Sequence, residues 1–215
     1  ATNPEQRGRF NLGEKLVLAL CNEARITSTT GTVLFDETGR RQTDKNREKG
    51  TEFYAVLQLD SEARTEVLAS MRRFIPPAGI ETRINGELLT APVAHTSFRA
   101  TLLTMYDHGD GQMRRTRRAT TVTVYDPPQG DKGWLYEMGI PVMPTGDRWA
   151  YDVCQVIPQG IERDSVSPSY LTALRTLALN HLHTLLDAED ASEQWVREAT
   201  ASPECSPEAF KAVLD

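Results

Sequence analysis

What the chain lacks narrows its class first. Cysteine occurs three times, at Cys21, Cys154 and Cys205. These are far apart, odd in number and in no CxxC or Cys/His spacing, which excludes a disulfide-stapled scaffold and a zinc finger. Reduced thiols and a cytoplasmic protein are expected. No run approaches the ~18 apolar residues of a membrane span, and the start has no basic-then-apolar order, so no membrane partner is expected. Histidine is scarce too: His181 and His183 stand two apart on an expected helix, point to different faces and cannot share a ligand. A phosphate-binding P-loop is absent, because Gly8 and Gly13 have its spacing but Glu14 stands where its lysine would be. Nor is there a nucleophile elbow, a metal-ligand spacing or a catalytic dyad to support a self-contained enzyme.

What is present is a globular composition. The 215 residues are 39% hydrophobic and 25% charged, enough to bury a sizeable core in one large domain or two small ones. A net charge of -6 means that any contact with a polyanion must be local.

Periodicity supplies the elements. EKLVLALCNEA, residues 14–24, has one apolar helical face. ARITSTTGTVLFD and TEFYAVLQLD read as strands joined by the exposed polar connection ETGRRQTDKNREKG. SEARTEVLASMRRFI reads as a helix stopped by Pro76-Pro77, and Asn85-Gly86 as a two-residue hairpin turn. Strands are expected over 97–106 and 119–125, with the polar stretch DHGDGQMRRTRR as a loop between them. WLYEMGIPVM and RWAYDVCQVIP add further strands. Ser167-Pro168 starts the longest helix, and shorter helices cover ASEQWVREAT and PEAFKAVL. The three tryptophans, Trp134, Trp149 and Trp195, lie within apolar elements and read as packing residues.

One string carries chemistry. In RGRFNLGEK, residues 7–15, Gly8 and Gly13 free the backbone and the following helix aims its N-terminal amides at the loop, an arrangement that can cradle phosphates. The same residues also satisfy a plain glycine-bearing loop ahead of an amphipathic helix. Gly8-Arg9-Phe10-Asn11-Leu12-Gly13 resembles the ATP-lid motif of the GHKL ATPases, the superfamily of gyrase B subunits, heat-shock chaperones, histidine kinases and mismatch-repair MutL proteins. Asn11 stands where a further glycine is common. Gly50-Thr51, opening a strand after a polar loop, resembles the Gly-Thr that closes the family's adenine pocket. The order lid, helix, strand, loop, Gly-Thr strand is more specific than either motif alone.

The resemblance implies ATP as ligand, with residues 8 to 13 wrapping the phosphates and the Thr51 hydroxyl near the adenine. The family's helix bearing a catalytic glutamate and a magnesium-holding asparagine, and its Asp-x-Gly-x-Gly motif, precede the lid and are not in this sequence. The chain is therefore expected to carry the second half of the ATP-binding domain and to be a poor ATPase alone. Mg2+ is expected only with the upstream half, whether that belongs to the same protein or to a second chain. Beyond residue 75 the strand-rich region resembles the transducer of MutL and type II topoisomerases. That resemblance makes Gln155 or Arg163 the group reaching the γ-phosphate, with Arg163 favoured for its permanent, bidentate charge.

A last feature is RRTRR, with four arginines in five positions: Arg114, Arg115, Arg117 and Arg118. It reads either as a solvated loop or as a contact to nucleic-acid backbone. The expected architecture is α+β: part of an ATP-binding sandwich over 1–75, then a transducer-like region over 76–215 that ends in helices. The reading admits a protein or DNA partner and a homodimer. Its alternative is a non-enzymatic α+β module that binds nucleic acid or protein through the arginine run.

Overall fold

Helix gives way to strand without a loop at residue 21. The computed structural model describes residues 13–107, 112–127, 131–159 and 165–214, and in it α1 (Gly13–Leu20) runs straight into β1 (Cys21–Ser28). The helix expected to reach residue 24 is thus shorter than its apolar pattern. β1 is paired on both sides, and a double ladder satisfies its amides and carbonyls more fully than another helical turn would.

The chain divides into two compact units, one ending at Ala69 and one running from Ser70. The first contains a four-stranded antiparallel sheet of order β3-β2-β1-β4, with β2 Gly31–Asp36, β3 Gly39–Thr43 and β4 Glu52–Leu57. β3 is fully exposed and falls inside the stretch read as a polar connection. It is a strand because the Asp36–Gly39 turn folds it onto β2, with Thr38 donating its amide to Asp36 Oδ1 at 2.9 Å and Arg41 pairing with Asp36. An outer edge strand needs no apolar side chains. α2 (Ser61–Arg72) follows, its first turn capped by the Asp60 carboxylate on the Ala63 amide at 2.8 Å.

The second unit holds a small hairpin, β5 (Arg83–Ile84) and β6 (Glu87–Leu88), and a five-stranded sheet of order β10-β9-β11-β8-β7. Asn85 and Gly86 have φ of 52° and 84°, the left-handed pair that such a two-residue turn requires. The sheet strands are β7 Ala94–Asp107, β8 Met113–Tyr125, β9 Trp134–Glu137, β10 Ile140–Pro144 and β11 Ala150–Val153. β11 is parallel to β9, and the other pairings are antiparallel.

Ser167 caps α3 (Pro168–Leu182) by accepting from the Tyr170 amide, with proline in the first turn. The helix ends at Leu182, although the leucine-rich run continues to Leu186. A 3-10 turn over His183–Leu185 follows, and then α4 (Ala188–Ala191), whose Asp187 and Asp190 form a capping box. α5 (Gln194–Thr200) and α6 (Pro207–Leu214) complete the unit. The core lies between one face of the sheet and the helices. Leu102, Val122, Leu135 and Tyr151 meet Leu174 and Leu179 of α3 and Trp195 of α5. Burial of this apolar surface is the main stabilising term. Among the described residues no helix is long and apolar enough to cross a membrane.

Candidate functional site

In the first unit the polar loop before β4 is fastened to the β1–β2 hairpin. The Arg47 amide donates to the Ser28 carbonyl at 2.9 Å and Asn46 Nδ2 to the Thr29 carbonyl at 3.3 Å. Thr32, buried beside Thr27, donates to the Lys45 carbonyl. Glu52 then takes Arg47 at 3.0 Å and Arg25 at 3.5 Å, so the first residue of β4 is gripped from two sides. Gly50 lies between these anchors with φ of +74°, a value that favours glycine.

The loop delivers Thr51, exposed, to the head of β4, where the next residue Glu52 pairs with Thr27 near the end of β1. Gly13 opens α1, which joins the opposite end of β1 at Cys21. Gly8, Arg9, Phe10, Asn11 and Leu12, the remainder of the lid string, lie outside the described residues, as does Arg163. Gln155 is buried and its side-chain amide donates to the Leu102 carbonyl at 3.3 Å, which ties it to β7.

The arginine run requires a correction. It is not a loop: Arg114, Arg115, Arg117 and Arg118 belong to β8, in continuous register with β7 from Met113 opposite Asp107 to Thr123 opposite Ser97. The polar composition concealed a strand because the buried side chains of this pairing, Leu102 and Thr104, come from β7, while the arginines of β8 are exposed. All four arginines are exposed. Arg118 stacks its guanidinium over Tyr106 at 4.7 Å, and Arg117 lies 4.0 Å from Glu204.

Two further clusters had no signal in the sequence, because their members come from distant segments. One is a cavity of about 210 Å³ on the sheet face opposite the helices, with Phe74, Tyr125, Trp134 and Tyr136 in its lining. The Arg73 guanidinium lies 4.8 Å over the Trp134 ring, so Trp134 is a half-buried stacking surface, whereas Trp149 and Trp195 are core residues. Burial raises the Tyr125 and Tyr136 hydroxyls above their ordinary pKa, so both remain neutral donors. The other is an ion network in which Arg175 joins Asp147 to Glu198.

Of the two helix histidines, His181 stacks on Phe98 with ring centres 4.4 Å apart, and His183 contacts the Asn180 carbonyl. Among the described residues no group of three or more His, Cys, Asp or Glu side chains is arranged to hold a metal ion. Compared with models of known protein families and with curated proteins, the chain matches none.

Proposed function

We propose that this chain is the second half of a GHKL-type ATP-binding domain followed by a transducer-like region, and that it acts as a nucleotide-dependent switch. The observation that carries the reading is the chain order in the first unit. A lid-like glycine string leads into α1, then β1 and β2, then a polar loop, and Gly50-Thr51 returns the chain beside β1 as β4. The anchored loop, the positive φ of Gly50 and the exposed Thr51 hydroxyl suit a fixed polar contact to a nucleobase.

In this reading residues 8 to 13 wrap the phosphates, Thr51 orients the adenine, and Arg163 senses the γ-phosphate. Gln155 is set aside for that role because its amide is already engaged inside the core. Magnesium falls to the asparagine of the partner segment; the acidic residues described here do not form a site for it, and no step in this chain depends on it. The general base would likewise come from the segment carrying the family's glutamate. The chain alone binds nucleotide poorly, and a partner or DNA reads the closed state. Cys21, Cys154 and Cys205 are in no disulfide, which suits a reducing, cytoplasmic setting.

The test is calorimetric titration with a non-hydrolysable ATP analogue and magnesium, on this chain alone and joined to the segment bearing the glutamate helix and Asp-x-Gly-x-Gly motif. Binding by the joined protein only is expected, with Thr51→Val weakening it roughly tenfold, the worth of one hydrogen bond. Micromolar binding by this chain alone, or no binding by either, overturns the reading.

A further inference from the structure

The aromatic cavity of the second unit is built on a floor of three strands. β11 lies between β9 and β8, so Ala150 of β11 sits between Trp134 and Tyr136 of β9 and Tyr125 of β8, all on the face turned away from Leu135 and Tyr151. The strip after α2, tied to the Gly139 carbonyl through the Ile75 amide, brings Arg73 and Phe74 to the walls. The cavity volume is about 210 Å³, more than the roughly 150 Å³ that takes a benzene ring. One ring with a short polar arm fits this space.

The charged side chains around the cavity differ in what they have left to bind. Arg72 pairs with Glu87 at 3.5 Å, Lys132 with Glu193 at 2.9 Å, and Asp126 meets His95 at 3.2 Å. Asp131 is exposed, where water and salt screen its charge. Arg73 differs from these: its guanidinium lies over the Trp134 ring, and no carboxylate among the described residues is within ion-pair distance of it. Stacking engages the flat face of a guanidinium and leaves its N–H groups, which lie in the plane, able to donate. Tyr136 stands near it. Burial raises that hydroxyl above its ordinary pKa while the Arg73 charge pulls the other way, so a neutral phenol accompanies the cation.

We propose that this cavity binds a small aromatic carboxylate, with its ring among Phe74, Tyr125 and Tyr136 and its carboxylate on the in-plane N–H groups of Arg73 while that guanidinium stays on Trp134. Aromatic walls suit a flat ring in offset or edge contact. A guanidinium fork suits a carboxylate in bidentate contact, and the partly enclosed position strengthens the pair. A cationic ligand is the poorer occupant, because Arg73 already supplies the cation over the indole and would repel a second one. A neutral ring is poorer too, since it would cover the guanidinium without giving it an acceptor. The proposal stands independently of the nucleotide reading.

The test is an NMR titration of the isotope-labelled chain with phenylacetate, phenylacetamide and phenethylamine, which share a ring and differ in charge. Phenylacetate should move the Trp134 indole N–H signal, leave those of Trp149 and Trp195 in place, and bind with a Kd below about 1 mM. The amide should bind about tenfold less tightly, and the amine less tightly still. Arg73→Gln should weaken phenylacetate about tenfold and leave the amide unchanged, with a circular-dichroism melt as proof of folding. Arg73→Lys, which keeps the charge but not the fork, should fall between wild type and Arg73→Gln. The proposal is overturned if phenylacetate does not move the Trp134 signal at about 10 mM, if the amine or the amide binds as tightly, or if the folded Arg73 variants bind phenylacetate like the wild type.

Discussion

Arg175 of α3 holds both carboxylate oxygens of Asp147, with Nε 3.0 Å from Oδ2 and Nη2 2.6 Å from Oδ1. The same guanidinium reaches the Thr145 carbonyl at 3.1 Å and Glu198 of α5 at 2.8 Å. One side chain therefore joins the turn before β11 to two helices. Asp147 is only 1% exposed, so without Arg175 a buried carboxylate would lose its charge partner. Removing one member of a buried pair typically costs about 3–5 kcal/mol. Arg175→Met is expected to lower stability by that amount, read by tryptophan fluorescence in urea, since Trp134, Trp149 and Trp195 all belong to the second unit. A loss below about 1 kcal/mol would mean that the pair is solvated.

The same pair has a pH signature. Burial raises the Asp147 carboxyl above its ordinary value of 3.8, although Arg175 pulls the other way. A carboxyl whose folded pKa is raised contributes stability below its unfolded pKa and loses it as pH climbs through the folded value. Wild-type stability should therefore fall relative to Asp147→Asn as pH rises from about 4 until the folded carboxyl is fully ionised. Parallel thermal melts of the two proteins across the acid range measure the difference, and an opposite slope would show that Arg175 outweighs burial.

These residues also mark what the sequence made legible. Local chemistry was readable: Ser167-Pro168 begins a helix and Asn85-Gly86 turns a hairpin because capping and positive φ are properties of one or two residues. The α+β class followed from such signals. Less was readable where pairing overrides propensity, as at Cys21–Ala24, where an apolar helical face became a doubly paired strand. The arginine run misled for the related reason that strand membership is conferred by its partner Leu102–Tyr106 segment. The Asp147–Arg175 clamp and the Arg73–Trp134 stack join residues 28 and 61 positions apart, and no spacing rule spans such distances. Thr51 stands out only through its place in an ordered series of motifs, and the structure adds that the loop before it is fastened to the β1–β2 hairpin.

The wall of the aromatic cavity depends on a glycine. Met138 and Gly139 turn β9 into β10 with φ of 51° and 79°. Gly139 donates its amide to Asp152 Oδ1 at 2.8 Å, and its carbonyl accepts from the Ile75 amide at 2.9 Å. This second bond fixes the strip that carries Arg73 and Phe74 into the cavity lining. A Cβ at position 139 would lie 2.4 Å from the Ile75 carbonyl oxygen, so the strip would have to move. Gly139→Ala combines that clash with left-handed strain and is expected to cost about 3 kcal/mol. It should also alter Trp134 fluorescence as Arg73 leaves the indole. Met138→Gly is the control: it relieves strain at the adjacent position without a new contact, and should stay within about 1 kcal/mol of wild type. If the alanine variant matches this control in stability and fluorescence, the Ile75 contact does not hold the cavity wall.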